Sequence, residues 1–143
     1  MKKISQSLKF FLNLARAQSL ITRKFDCGLG GGLSFTDFQV LYYLNLAPDE
    51  KLRRIDLAEK LSLTASGVTR LLIPMEKIGL VKREASNHDA RVSFVQLASG
   101  GRRLLSERIG DAERLAEEMM PETKSKGGAE ADELFSLLKL SYF

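Results

Sequence analysis

Ser66, Gly67, Thr69 and Arg70 lie within five residues of one another, and no carboxylate follows them until Glu76. Small side chains let a helix come close to base edges, while hydroxyls and a guanidinium donate to bases and phosphates. At the start of a helix the dipole adds its own attraction for phosphate. Such residues suit a helix that enters the major groove of a duplex, and Thr64 just before them is a good N-cap for it. Arg53 and Arg54 come one short helix earlier, placed either to reach a phosphate backbone or simply to solvate the surface. Downstream, the polar stretch Ser86-Asn87-His88-Asp89-Ala90 leads into Arg91.

No comparable set exists for catalysis. His88 and Cys27 are each the single residue of their type, so no nucleophile–base pair can be assembled and the protein reads as a non-enzyme. The same scarcity excludes an internal disulfide framework and a Cys/His metal cluster, and it implies no cofactor. Gly28, Gly30, Gly31 and Gly32 lack the Lys-Ser/Thr pair and preceding strand of a phosphate-binding loop, and read as a helix connection.

Placing the candidate residues requires a folded frame. The 143 residues make one domain, large enough to bury about two-thirds of its unfolded surface. The net charge of +4 is unevenly spread: +2 over residues 1–50, +6 over 51–103 and −4 over 104–143. The basic middle third suggests a polyanion-facing surface. No apolar run approaches the roughly 18 residues of a membrane span. Ser5, Gln6, Ser7 and Lys9 interrupt what would be a signal peptide's apolar core. The expected setting is cytoplasmic, with no membrane partner.

The hydrophobic spacing predicts a mainly α chain with a small β-hairpin. A first helix over 4–25 carries two apolar stripes, one with Ile4, Leu8, Phe11 and Leu12, the other with Phe10, Leu14, Ile21 and Phe25. One stripe would face the chain's own core and the other a partner subunit. Ser34 is expected to cap a second helix with Phe35, Phe38, Leu41, Tyr42 and Leu44, ended by Ala47-Pro48-Asp49. A third helix, 54–61, would bury Ile55, Leu57, Ala58 and Leu61, and a turn at 62–64 would lead to a fourth with Val68, Leu71, Leu72 and Met75 inward. Gly79 would close that helix, and Pro74 would kink it. Leu80–Ala85 and Arg91–Leu97 read as a hairpin whose inward face is open between Val92 with Phe94 and Val95 with Leu97. Ser99 is expected to cap a fifth helix using Leu105, Ile109, Ala112, Ala116 and Met119, stopped by Pro121. A last helix is predicted over 130–142.

Two short helices around a three-residue turn, followed by a basic hairpin, make a winged helix-turn-helix. Here the chain resembles the MarR family of bacterial transcription regulators. The resemblance rests on Ile55-Asp56-Leu57-Ala58-Glu59-Lys60-Leu61, on Val68-Thr69-Arg70-Leu71-Leu72 through Met75-Glu76-Lys77-Ile78-Gly79-Leu80-Val81, on Asp89-Ala90-Arg91, and on Val95-Gln96-Leu97-Ala98-Ser99-Gly100-Gly101.

The resemblance implies a homodimeric, sequence-specific double-stranded DNA-binding regulator acting on a pseudo-palindromic operator. It is expected to be a repressor released by a small aromatic or phenolic effector. The winged helix-turn-helix lobe would span 34–98, and the dimerisation helices 1–30 and 99–143. Arg91 would enter the minor groove, and Asp89 would hold Arg91 or Arg83 in place. His88 belongs to a wing tip less basic than in many relatives. Dimer contacts would involve Phe10, Leu14, Ile21, Leu134 and Leu138. Tyr42 and Tyr43 are candidates to line an effector cleft, although aromatics at helical spacing are more often core. Cys27 has only Lys24 nearby to lower its pKa, a weak basis for oxidant sensing. Ala98 stands where the family usually has a capping Thr, which leaves Ser99 to serve. The rival reading is a winged-helix protein-interaction module without specific DNA binding.

Overall fold

In the computed structural model of the protein, residues 3–120 and Glu133, Ser136 and Leu138 are described. The elements run α1 (Gln6–Gly28), α2 (Phe35–Leu46), a 3-10 turn (Pro48–Glu50), β1 (Lys51–Arg53), α3 (Arg54–Leu61), α4 (Ala65–Lys77), β2 (Val81–Ala85), β3 (Ser93–Leu97) and α5 (Ser99–Met119). The helix expected over 130–142, with Leu134, and the stop at Pro121 lie outside the described residues.

Ser5 caps α1 by accepting from the Leu8 amide at 3.1 Å, and the helix continues three residues past its expected end. Within α1 only Phe25 is buried. Leu8, Phe11 and Leu12 of one stripe and Phe10 and Ile21 of the other are exposed, and Leu14 is half-buried. The expectation that one stripe is covered by the chain's own core is therefore corrected. The helix meets the rest of the chain at its C-terminal end, where Phe25 and Leu29 pack on Ala112 and Leu115 of α5. The N-terminal turns extend beyond that contact with both stripes bare.

The main core lies between the helix-turn-helix and the sheet. Val40, Leu41 and Leu44 of α2 meet Leu57, Val68, Leu72, Val95 and Leu97, each at most 1% exposed. Ser34 caps α2, its Oγ accepting from the Asp37 amide at 3.0 Å. Thr64 caps α4 likewise, accepting from the Gly67 amide at 3.1 Å.

Pro74 does not end α4. The helix runs on to Lys77, with Leu72 and Met75 buried on either side of the proline. That burial offsets the one backbone bond to Arg70 that the ring forbids. Gly79 (φ 77°) then reverses the chain. Its amide reaches the Glu76 carbonyl at 3.1 Å, and the Leu80 amide reaches Met75 at 2.9 Å, the paired bonds of a Schellman turn.

The sheet has three antiparallel strands in the order β1-β3-β2, not the two of a simple hairpin. Lys51, Leu52 and Arg53 pair with Gln96, Val95 and Phe94. Two cations in three residues give β1 no readable alternation, and only its partner defines it as a strand. Val95 and Leu97 take the inward face, leaving Val92 and Phe94 half-buried.

At α5 the N-cap is Ala98 and no side chain caps the helix; Ser99 is already helical, so its expected capping role is corrected. Packing holds the start of the helix instead. The Ala98 amide donates to the Leu80 carbonyl at 3.0 Å, and Arg102 donates to the Glu50 carboxylate at 2.6 Å and to the Leu97 carbonyl at 3.4 Å. The Glu50 bond spans the corner where Asp49 and Glu50 both adopt positive φ, at 55° and 53°.

The hydrogen bond from Arg102 holds the Glu50 carboxyl below its usual range, against a smaller opposing effect of burial. Lys24 and then Arg114 do the same for Glu118, tying α1 to α5. A carboxyl with a lowered folded-state pKa stabilises the fold above its unfolded-state pKa, and that stability is lost as pH falls through the folded-state pKa. Glu50→Gln should therefore lower Tm at pH 7, with the gap from wild type closing as acid protonates the Glu50 carboxyl in the folded protein. A gap unchanged at low pH would mean that the charge is irrelevant.

Candidate nucleic-acid interface

The N-termini of α3 and α4 and the start of β3 enclose a groove of about 380 Å³ lined by Arg53, Arg54, Ile55, Ala65, Arg91, Val92 and Ser93. Residues 38 positions apart thus meet at one concavity, because β1 delivers Arg53 and Arg54 beside the segment that leads into β3.

The arginines differ in what neutralises them. Arg53 is held by Asp56 through two bonds, Nε at 2.7 Å and Nη2 at 2.9 Å. Arg83 is held by Glu76 at 2.6 Å, which corrects the expectation that Asp89 would be its partner. Among the described residues Arg54 donates only to the Thr69 hydroxyl, at 3.2 Å. Arg70 and Arg91 are exposed, with no carboxylate partner among the described residues. The positive potential of this face therefore comes chiefly from Arg54, Arg70 and Arg91.

Thr69 has less freedom than its place in the sequence suggests. Its hydroxyl donates to the Ala65 carbonyl at 3.0 Å while accepting from Arg54, so it joins α3 to α4. Thr64 and Ser66 hydroxyls lie 3.2 Å apart at the exposed first turn, and Gly67 keeps that turn slim.

Asp89 accepts from the backbone amide of Arg91 at 2.9 Å. It shapes the turn and leaves the Arg91 guanidinium free, so the expected side-chain clasp is replaced by a backbone one. The amides of His88 and Asp89 donate to the Ser86 hydroxyl at 3.2 and 3.3 Å, and both side chains are exposed at the wing tip.

Ile55 was expected inside the third helix but is 68% exposed and lines the groove. It sits about 200° around the helix from the buried Leu57, at 100° per residue. Nothing in the sequence marks Ala65, Val92 or Ser93 as part of a site, since small or apolar residues carry no signal until their neighbours are known.

A second groove, about 300 Å³, lies between α1, α2 and α5. Tyr42 and Tyr43 both line it, together with Ile109 and Ala116, two α5 residues that were expected in the core. Phe35, Phe38 and Tyr42 stack in sequence along its α2 wall, with ring centroids 6.5 and 6.3 Å apart.

Comparison with known proteins fits this geometry. Residues 31–92 match the MarR family. The HTH-type transcriptional regulator MhqR of Bacillus subtilis (strain 168) is 32% identical over 116 residues, covering 80% of this chain and 79% of that protein. The chain belongs to the MarR family. Among solved structures, the transcriptional regulator BldR of Sulfolobus solfataricus superposes with a TM-score of 0.80 at 25% identity, over 96% of this chain and all of the other. Sco3205, a MarR family transcriptional regulator of Streptomyces coelicolor solved in complex with DNA, superposes with a TM-score of 0.80 at 19% identity, over 95% of this chain and 87% of the other. As a MarR family chain it carries the winged helix that these structures share, and its arginine-lined groove lies at the starts of α3, α4 and β3 within that lobe.

Proposed function

We propose that this MarR family protein is a homodimeric transcriptional regulator that binds a pseudo-palindromic operator and represses from it until a small aromatic effector binds. The observation that carries the reading is the groove where Arg53, Arg54 and Arg91 converge beside the exposed N-terminus of α4. In this reading Ser66, Gly67 and Arg70 enter the major groove, Arg54 and Arg53 meet phosphates, and Arg91 reaches the adjacent minor groove, where narrow walls concentrate negative potential. Residues 34–98 form the reading lobe. Residues 1–30 and 99–143 form the dimerisation lobe, with Phe10, Leu14 and Ile21 facing the second copy alongside Leu134 and Leu138. The apolar face of α1, exposed at Phe10 and Ile21 and half-buried at Leu14, supports this arrangement. The groove beside Tyr42 and Tyr43 takes the effector. The protein acts in the cytoplasm, on DNA and without catalysis; no described helix is long and apolar enough to cross a membrane.

Fluorescence anisotropy on the duplex upstream of its own gene tests the reading. Affinity should fall by orders of magnitude between about 50 and 200 mM salt, as counterions compete for the contacted phosphates. A flat salt response, or no binding, would instead favour a protein-interaction module.

A further inference from the structure

We propose that Thr69 is a positioning residue, whose hydroxyl holds the Arg54 guanidinium for a DNA phosphate and reads no base. The inference rests on the duplex-binding role proposed above and divides the labour within that surface. It follows from how the hydroxyl is used. A threonine hydroxyl has a single proton to donate, besides lone pairs that accept. Thr69 spends its proton on the Ala65 carbonyl at 3.0 Å, one turn back along α4, and accepts from Arg54 Nη1 at 3.2 Å. Donating to the acceptors on guanine, adenine or thymine edges would require breaking the bond to Ala65.

The position of Arg54 points the same way. It is the first residue of α3, where the helix dipole disfavours a cation. The acidic residue of that first turn, Asp56, is engaged by Arg53. A cation at this end therefore adds nothing to the stability of the helix, but it suits an anion brought to the groove that Arg54 lines. The bond to Thr69 fixes one N–H of the guanidinium fork and, being to a neutral group, leaves the charge intact. Ala65 and Thr69 share a face of α4, beside the groove that Ala65 and Arg54 line. Ser66 and Arg70, each one position further on, lie about 100° around the helix and form a separate face. Phosphate contacts set register and affinity without carrying sequence information. Thr69 thus serves affinity, and the neighbouring face serves discrimination.

Thermodynamic coupling on two duplexes tests this. Thr69→Val, Thr69→Ser, Arg54→Ala and the double variant Arg54→Ala/Thr69→Val are compared with the full wild-type chain by anisotropy. The probes are the duplex upstream of its own gene and a scrambled duplex of equal length. Valine keeps the shape of threonine, and the regular helical amide bond to the Ala65 carbonyl remains. Thr69→Val should weaken binding to both duplexes alike, by about three- to tenfold, the range of an ordinary net hydrogen bond. Thr69→Ser should restore wild-type affinity. Arg54→Ala should lower the slope of log affinity against log salt by about two, one phosphate contact in each copy of the dimer. Thr69→Val should lower it in the same direction by less, and should have no further effect once Arg54 is alanine. A loss confined to the upstream duplex would make Thr69 a base reader and overturn the proposal. So would unchanged affinity in Thr69→Val, full additivity with Arg54→Ala, or Thr69→Ser binding as weakly as Thr69→Val. Each of these leaves the regulator reading standing, provided that the wild-type chain binds its upstream duplex with the expected salt dependence. Absence of that wild-type binding would overturn both.

Discussion

Gly101→Ala is expected to cost about 3 kcal/mol of stability, at the upper end of what forced overpacking does. Gly101 is buried in the first turn of α5, and a methyl group there would overlap the Leu80 carbonyl oxygen. It would also lie 2.8 Å from Leu97 Cδ1 and 3.1 Å from Leu41 Cδ2. Neither Leu80 nor α5 can yield easily. Leu80 closes the turn that ends α4, and its carbonyl also receives the Ala98 amide. Relief must come from sliding α5 away from α4, so DNA affinity should fall along with Tm. Gly100→Ala meets the Gly79 carbonyl oxygen at 2.6 Å and should follow in the same direction. Gly110, also in α5, has nothing within 4 Å of a new methyl, and Gly110→Ala should stabilise the helix by about 0.5–1 kcal/mol. Denaturant unfolding of the three variants checks this. If Gly101→Ala and Gly110→Ala behave alike, the close contact is not a constraint.

Arg91→Ala is expected to weaken operator binding by about tenfold to a hundredfold, with the fold and dimer intact. The guanidinium is exposed and makes no ion pair within the described residues, so its removal should shift stability by less than about 0.5 kcal/mol. The turn would persist, because Asp89 holds the backbone of residue 91 and not its side chain. The loss should be larger on operators with A·T-rich flanks, where a narrow minor groove attracts an inserted guanidinium most strongly. Anisotropy on matched A·T-rich and G·C-rich flanks would measure both effects. Unchanged affinity on both would remove the wing from the mechanism. Arg53→Ala makes an instructive comparison, since it also strips Asp56 of its partner and so mixes stability with binding.

Much of the frame was legible in the chain. Ser34 and Thr64 cap the helices they were expected to cap, because capping depends on residues three apart and needs no distant partner. Gly79 ends α4 for the same local reason. The inward residues Val68, Leu72 and Met75 followed from helical period alone. What failed was long-range in origin. β1 is a strand only because β3 lies beside it, and Ile55, on the side of α3 away from Leu57, lines a groove that forms only when the segment leading into β3 packs beside the start of that helix. Ser99 was assigned a capping role that the contact between the start of α5 and the end of α4 makes unnecessary.

The site divides in the same way. Chain order alone fixes which residue types are present: a basic centre of +6, a run of small and hydroxyl residues opening a helix, and a single His and a single Cys. Composition and local spacing settle these, and no fold can change them. Which charges remain free is set by packing. Glu76 and Asp56 neutralise Arg83 and Arg53, Thr69 is engaged by Arg54, and Arg91 is left open. A charge's partners depend on what lies within a few ångströms in space, and the chain order does not hold that information until the core has packed.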